Sequence, residues 1–224
     1  MAGGTRRAEQ VSATRDALLT AAERLFAERG VHAVAHRQIS EAAGQGNNAA
    51  VSYHFGTKDE LIRALARRHA ERMERIRVRL MAGLDDSAGL REWVTCFVRT
   101  LTDHLESMGG GPTWYARFIA QVTADPALYA LVAEETLAVS PSLTRLHAGM
   151  NGALPELAAG VRAERAAMTR HLIVQMAVER ERALATNAPT AHASWPDMAT
   201  GLIDVIVALW QAPVTRMDEI KANA

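Results

Sequence analysis

The chain has 224 residues, of which 49% are hydrophobic and 22% charged, so it can bury a sizeable core and is not disordered by composition. Its formal net charge is zero, but residues 1–80 hold 14 Lys and Arg against 9 Asp and Glu, while residues 81–224 hold 11 against 16. A basic first third on an acidic remainder points to a polyanionic partner for the first part alone, unless arginines such as Arg67, Arg68, Arg72 and Arg75 simply solvate a helix face.

In chain order, "MAGGTRRAEQ" has no apolar signal-peptide core, which points to a soluble, cytoplasmic protein. The first helix is expected over about Ala13 to Arg29, with Ser12 as N-cap and Gly30 as stop. Leu18, Leu19, Ala22, Leu25 and Phe26 give it one apolar face. A second helix, about His36 to Ala43, buries Ile39, Ala42 and Ala43; a third spans about Asn47 to Tyr53 with Asn47 as cap. Thr57-Lys58-Asp59-Glu60 reads as a capping box that starts a fourth helix reaching toward Leu80. Further helices are expected near 88–107, 113–124, 127–147, 161–185 and 197–211. They break at "MGGGP", Asp125-Pro126, Asn151-Gly152 and "TNAPTAHASWP". The fold class is therefore all-α, a small N-terminal bundle followed by a larger C-terminal one. The single cysteine, Cys96, excludes an internal disulfide and reads as a small core hydrophobe. The longest apolar run, "GLIDVIVALW", is too short to cross a bilayer and contains Asp204, so no membrane association is expected.

Helices two and three form a corner around the glycine-bearing "AGQG". The third offers a small, polar surface of Asn47, Asn48, Ala49, Ser52 and Tyr53. Such a face suits a major groove, since Asn bonds adenine bidentately and Ala meets a thymine methyl. Tyr53, His54 and Lys58 follow, with groups that reach phosphate oxygens. Lys58 sits in a first turn, against the macrodipole, in a chain with only 2 Lys (Lys58 and Lys221) against 23 Arg. A phosphate contact explains it; a solvated surface lysine is the alternative. His32 and His36 are four apart, but no third ligand lies near, so no metal and no cofactor is expected.

These residues resemble the DNA-binding part of TetR-family transcriptional regulators. The resemblance rests on "ALLTAAERLFAERG", "RQISEAAG" and "YHFGTKDEL" at their separations, and covers residues 12–75. It implies a helix-turn-helix domain over 12–75 and a ligand-binding and dimerisation domain over 76–224. It implies a recognition helix from Asn47 to Tyr53, and phosphate contacts from Arg37, Tyr53, His54 and Lys58. The chain departs from the family pattern in two places. Ala35-His36 stands where Ser or Thr is common, with His36 as the substitute contact. The turn is one residue longer, which shifts Asn47 and Asn48 from the usual base-reading positions.

A dimeric reader needs two copies held about 34–36 Å apart or a little more. The helices near 161–185 and 197–211 are apolar most of the way round, with Met168, Leu172, Met176, Leu202, Val205, Ile206, Leu209 and Trp210 as interface candidates. A wholly internal pair is the alternative. The central helices carry Trp93, Phe97, Trp114, Tyr115 and Phe118, with His147, Met150 and His171 nearby in sequence terms. They form either the wall of a small-molecule pocket or simple core packing.

The expected function is a homodimeric DNA-binding regulator, a repressor of a pseudo-palindromic operator released by a small-molecule effector. A transcriptional activator or a ligand-independent regulator of the same family is the alternative. An all-α enzyme is remote, since no phosphate loop, nucleophile elbow or metal triad appears. A sequence-independent DNA organiser sits poorly with a balanced net charge.

Overall fold

The computed structural model describes residues 2–85, 87–109 and 113–214, as ten α-helices and, among those residues, no strand. Four form the head: α1 (Ala2–Arg29), α2 (His36–Ala42), α3 (Ala50–Phe55) and α4 (Lys58–Met81). The body comprises α5 (Leu90–Glu106), α6 (Tyr115–Ala124), α7 (Pro126–Val139), α8 (Ser142–Ala153), α9 (Ala159–Ala185) and α10 (Trp195–Gln211). Gly110 to Pro112, where a break was expected, and residues 215–224 of the expected C-terminal part lie outside the described residues. No described helix is long and apolar enough to cross a membrane.

The head's core is the apolar face expected of α1, with Leu18, Ala22, Leu25 and Phe26 buried against Ile39, Val51, Phe55, Leu61 and Leu65. Ile39 is buried as expected, but Ala42 is exposed and Ala43 half-buried, because α2 is too short to turn a second apolar row inward. Helix α1 starts at Ala2 instead of Ala13, so Ser12 is an interior residue and not a cap. Ala, Glu, Gln and Arg upstream of Ser12 are strong helix formers, which lets the helix run on.

Body and head share α4, which packs on α7, α5 and α8, while α6 packs on α1 and α9. Phe118 of α6 stacks on Phe26 of α1 at 6.2 Å between ring centroids. The helix expected over 127–147 is two helices, since Pro141 lacks the N–H and interrupts the ladder between α7 and α8. Conversely, Asn151-Gly152 does not break α8, which continues to Ala153.

Three body helix ends are satisfied by charged groups from distant helices. Glu181, fully buried on α9, accepts from the α6 amides of Ala116 (3.1 Å) and Arg117 (3.0 Å). Glu74 on α4 accepts from the Ser142 amide (3.1 Å) and hydroxyl (2.6 Å) at the start of α8. Arg165 on α9 donates to the Trp210 carbonyl (2.8 Å) and the Ala212 carbonyl (2.6 Å) at the end of α10. A carboxylate at a positive helix end and a guanidinium at a negative one both follow the macrodipole.

Two glycines of α8 make a signed pair. A Cβ on Gly149 would lie 2.3 Å from Trp93 Cε2, and the indole is held in place by its Nε1 donating to the Ala88 carbonyl at 3.1 Å. A Cβ on Gly152 would meet nothing within 4 Å. Gly152→Ala should therefore stabilise by about 0.5–1 kcal/mol through helix propensity. Gly149→Ala should destabilise, because an overpacking cost of about 1–3 kcal/mol outweighs that gain. Urea unfolding of the two variants should show midpoint shifts of opposite sign.

Candidate nucleic-acid interface

The α2–α3 corner accommodates its extra residue through local hydrogen bonds. Gly44 takes φ +68°, a left-handed conformation that suits a residue without Cβ. The Gln45 amide then bonds the Ser40 carbonyl at 2.9 Å, and the buried Ser40 hydroxyl donates to the Asn48 carbonyl at 3.3 Å. Asn47 Oδ1 accepts from the Ala49 amide at 2.9 Å. That bond closes a turn ahead of the helix: α3 begins at Ala50 with Ala49 as N-cap and no side-chain cap, so Asn47 is not the cap expected of it. At the start of α2, Ala35 has no side chain to cap with, and Gln38 Oε1 reaches back to its amide at 2.8 Å. At the start of α4, Thr57 Oγ1 accepts from the Glu60 amide at 3.1 Å, one half of the expected capping box.

Helix α3 turns Ala50, Val51 and Phe55 inward and leaves Asn47, Asn48, Ala49 and Ser52 exposed around it. Tyr53 is 80% exposed, which is unusual for a tyrosine in a well-packed head. His54 is half-buried beside it, at 5.0 Å between ring centroids. His36 joins the two helices, its Nδ1 lying 3.2 Å from Ser52 Oγ. Burial, and then the charge of Lys58, hold that imidazole below its ordinary pKa. Lys58 Nζ donates to the Val31 carbonyl at 3.2 Å, which accounts for a lysine in this first turn without a ligand and leaves two ammonium protons to spare. Arg37 is exposed and bonded to Glu41 at 2.7 Å, so a phosphate would have to compete with that carboxylate.

Sequence reasoning missed Arg15. From α1 its guanidinium lies 4.3 Å from the Phe55 ring centroid and donates to the His54 carbonyl at 2.8 Å. It therefore caps the C-terminal end of α3, and only the three-dimensional approach of α1 reveals it. The arginines of α4 also have a role the charge count did not show. Arg63 bonds Glu134 at 3.0 Å, Arg67 bonds Glu135 at 2.6 Å and Arg68 bonds Glu23. Arg63 and Arg67 are thus neutralised by the acidic body and Arg68 by Glu23 within the head, while Arg72 and Arg75 are exposed, as solvation of a helix face would have them.

Behind this surface lies a buried polar relay. Glu23 on α1 bonds Arg68 and also His69 Nε2 (2.8 Å), both on α4; His69 Nδ1 lies 2.8 Å from His104 Nε2 on α5. Tyr115 of α6 stacks on His69 at 3.9 Å between ring centroids. Burial alone would raise the Glu23 pKa, but the hydrogen bonds and charges of His69 and Arg68 outweigh it and hold the carboxyl ionised. Burial pushes His69 down despite the opposing hydrogen bond and charge of Glu23, and pushes His104 down to about 3, where the charges of His69 and Arg72 add to burial. An ionised Glu23 accepts a hydrogen bond from His69 Nε2–H, so in the neutral ring His69 Nδ1 must accept, and His104 must donate through Nε2. His104 Nδ1 is then a bare lone pair, in keeping with its having no hydrogen-bond partner.

The residues considered for a pocket wall do not form one cluster. Phe97, His147 and Met150 meet in a cleft of about 650 Å³ between α5, α8, α9 and α10. Trp93 packs on Gly149, Tyr115 belongs to the relay, Phe118 is in the head–body core, and Trp114 lies near Ala17 and Arg24 of α1. His171 is exposed on α9. Different helix faces carry these side chains, and only packing decides which of them converge. Of the interface candidates, Leu202, Ile206 and Trp210 face the protein's own core. Met168 and Val205 are exposed and Leu172, Met176 and Leu209 half-buried, an outward apolar stripe across α9 and α10.

Residues 18–65 match the bacterial regulatory proteins of the tetR family, and residues 95–208 match the tetracyclin repressor-like C-terminal domain. The chain belongs to the TetR family. The regulators of this family act on transcription and are not enzymes. The HTH-type transcriptional repressor AcnR of Corynebacterium efficiens is 34% identical over 87 residues, and that of Corynebacterium glutamicum 33%. The match covers 37% of this chain and 46% of each repressor, so it spans about half the length of these relatives. A TetR-family regulator structure from Shewanella sp. PV-4 shares the fold with a TM-score of 0.59 at 13% identity, over 91% of this chain and 99% of that one. The fatty acid degradation regulator FadR of Bacillus halodurans does so with a TM-score of 0.57 at 17% identity, over 91% and 97%.

The relay gives this TetR-family protein an acid sensitivity of fixed sign. Below the unfolded histidine pKa of 6.5 the unfolded chain binds protons that the folded chain refuses at His69 and His104. Stability is therefore unaffected above that value and falls as the pH drops toward about 3, the folded value of His104. His104→Gln keeps an N–H for His69 Nδ1 and removes one titrating group. Between pH 6 and 5 it should flatten the loss of stability by about 1 kcal/mol per pH unit. Urea unfolding across that interval measures the slope, and an unchanged slope would count against the neutral pair.

Proposed function

We propose that the protein is a homodimeric, ligand-responsive repressor that binds a pseudo-palindromic operator in the cytoplasm. Residues 12–75 would read DNA and residues 76–224 would bind the effector and the second copy. The observation that carries this reading is the outward surface at α3: Ser52 and Tyr53 on the helix, and Asn48 and Ala49 in the turn leading into it, are all exposed, while the opposite face of the helix is anchored in the head. Groups of this kind read base edges, and Tyr53, His54 and Lys58 stand where they would grip the sugar–phosphate backbone. The repressor direction follows the AcnR likeness over the head.

The outward stripe of Met168, Leu172, Met176, Val205 and Leu209 supports an isologous interface, since two copies related by a twofold axis would cover it. Coupling would run through α8. Its first residue, Ser142, is clamped by Glu74 and Arg77 of α4, while His147 and Met150 line the cleft. A ligand that moved α8 would pull on the helix that carries the head, and the spacing of the two recognition helices would change.

Selection from a random duplex pool should return an inverted repeat. On that repeat, Asn48→Ala should relax preference at one base pair per half-site, at a cost of about 1–3 kcal/mol. Lys58→Ala should weaken all sequences alike and lower the salt slope by about one. Recovery of no repeat would overturn the reading. Val205→Glu with Met168→Glu should give a monomer in sedimentation equilibrium while the helical content is kept.

A further inference from the structure

The cleft that Phe97, His147 and Met150 share is specific in its chemistry. Its walls are apolar, formed by Phe97, Met150, Leu154, Leu157 and the Trp210 ring, and no carboxylate lines it. Its existence follows from a change along one face of α9. Ile173 fills the core, but the positions before it at helical spacing are Thr169, Ala166, Ala163 and Ala159, which leave the space open.

Among the described lining residues the one formally charged side chain is Arg162. Arg162 is half-buried, with only a long 3.4 Å contact to Asn151 Oδ1 and, among the described residues, no ion pair. Helix α9 begins at the cleft with Ala159. Its N-cap, Ala158, makes no side-chain capping bond, and no acidic residue stands in the first turn. Two residues of the lining, Thr169 and Trp210, are 2% and 3% exposed, and each carries a buried polar atom, Oγ1 and Nε1, without a partner. A guanidinium, an indole N–H and free helix amides all donate and cannot accept. The cleft therefore sets one guanidinium and the N-terminus of α9 against an apolar wall, with Asn151, His147 and Thr169 as the side chains able to accept among the described lining residues.

We propose that this cleft binds an amphipathic monocarboxylate, with its aliphatic or aromatic body against the apolar walls and its carboxylate on the Arg162 side. This rests on the regulator reading above and names the effector class it would take. A cationic ligand would be repelled by the Arg162 guanidinium, and a neutral one would leave that charge without a counter-ion. A polyanion would bring charge against the apolar walls. A volume of about 650 Å³ suits a small molecule of this kind.

Calorimetry on the full chain tests it with decanoate, 2-naphthylacetate, decan-1-ol and decyltrimethylammonium as probes. Both carboxylates should bind about tenfold or more tightly than the alcohol, the worth of one charge-assisted hydrogen bond, and the ammonium should not bind. Arg162→Met should remove that advantage and leave the alcohol unchanged, with an unaltered melting curve as the folding control. Ala163→Phe, which fills the cleft from an exposed helix position, should abolish binding of all probes. Equal affinity for acid and alcohol, indifference to Arg162→Met, or no binding of any probe would each overturn the proposal. Binding of the wild type to its selected DNA is measured alongside. If DNA binding persists while the carboxylates fail, only this site falls; if carboxylates bind and DNA does not, the regulator reading falls instead.

Discussion

One buried carboxylate organises the junction between head and body. Glu23 is 5% exposed and faces Arg68, His69 and, through His69, His104. Removing a charge of this kind from water costs several kcal/mol, which is offset only when its partners are well placed. Here the partners come from another helix, so α1 and α4 cannot slide past each other without uncovering the charge. The hydrogen-bond direction is set at the same time, because an acceptor-only carboxylate leaves His69 and His104 one tautomer each. The order runs from one charge to two rings and then to the stacked Tyr115 on α6.

Around that point, α4 acts as a common spar. Its N-terminal part completes the head core, its middle carries the relay, and Glu74 with Arg77 holds the first turn of α8. Arg63 and Arg67 bind Glu134 and Glu135 of α7. A second tie, His32 Nε2 to Asp125 Oδ2 at 2.8 Å, joins the α1–α2 loop to the α6–α7 corner, and the Asp125 carboxylate also caps α7. Exposed ties such as this one contribute little to stability. Their value is positional, since they limit the angles at which the head can sit on the body.

What was legible in the sequence follows from the range of the interactions involved. Apolar periodicity is local, and so the inner faces of α1 and α4 and the corner at "AGQG" could be read directly. The start of α4 was visible because Thr57 and Glu60 lie three residues apart. Contacts made across tens of residues left no such mark. Arg15 at the end of α3, Glu181 at the start of α6 and Arg165 at the end of α10 look like ordinary surface charges in a string of letters. The aromatic residues scattered for the same reason. Trp93, Tyr115 and Phe118 each sit on a helical apolar face, but whether those faces enclose a void depends on the residues opposite, and there Gly149, His69 and Phe26 fill the space. The cleft arose where α9 turns to alanine, a pattern that also reads as good helix propensity.

The distribution of charge limits how the head can hold DNA. Of the arginines in the first third, Arg63, Arg67, Arg68 and Arg77 are bound to carboxylates, and Arg15 is used on α3 itself. The exposed face of α3 carries amide, hydroxyl and phenol groups without formal charge. Arg37 is bonded to Glu41, while Lys58, Arg6, Arg7, Arg24, Arg29, Arg72, Arg75 and Arg79 carry no ion pair among the described residues; attraction between such cations and phosphate carries no sequence information. Discrimination must then come from hydrogen bonds at base edges, which demand that the helix be held at a fixed angle and depth. The bonds from Ser40 to the Asn48 carbonyl, from His36 to Ser52 and from Arg15 to the His54 carbonyl supply that rigidity at the start, middle and end of the short helix. Because those bonds come from α1 and α2, the angle of α3 is set by the packing of the whole head and not by the six-residue helix itself.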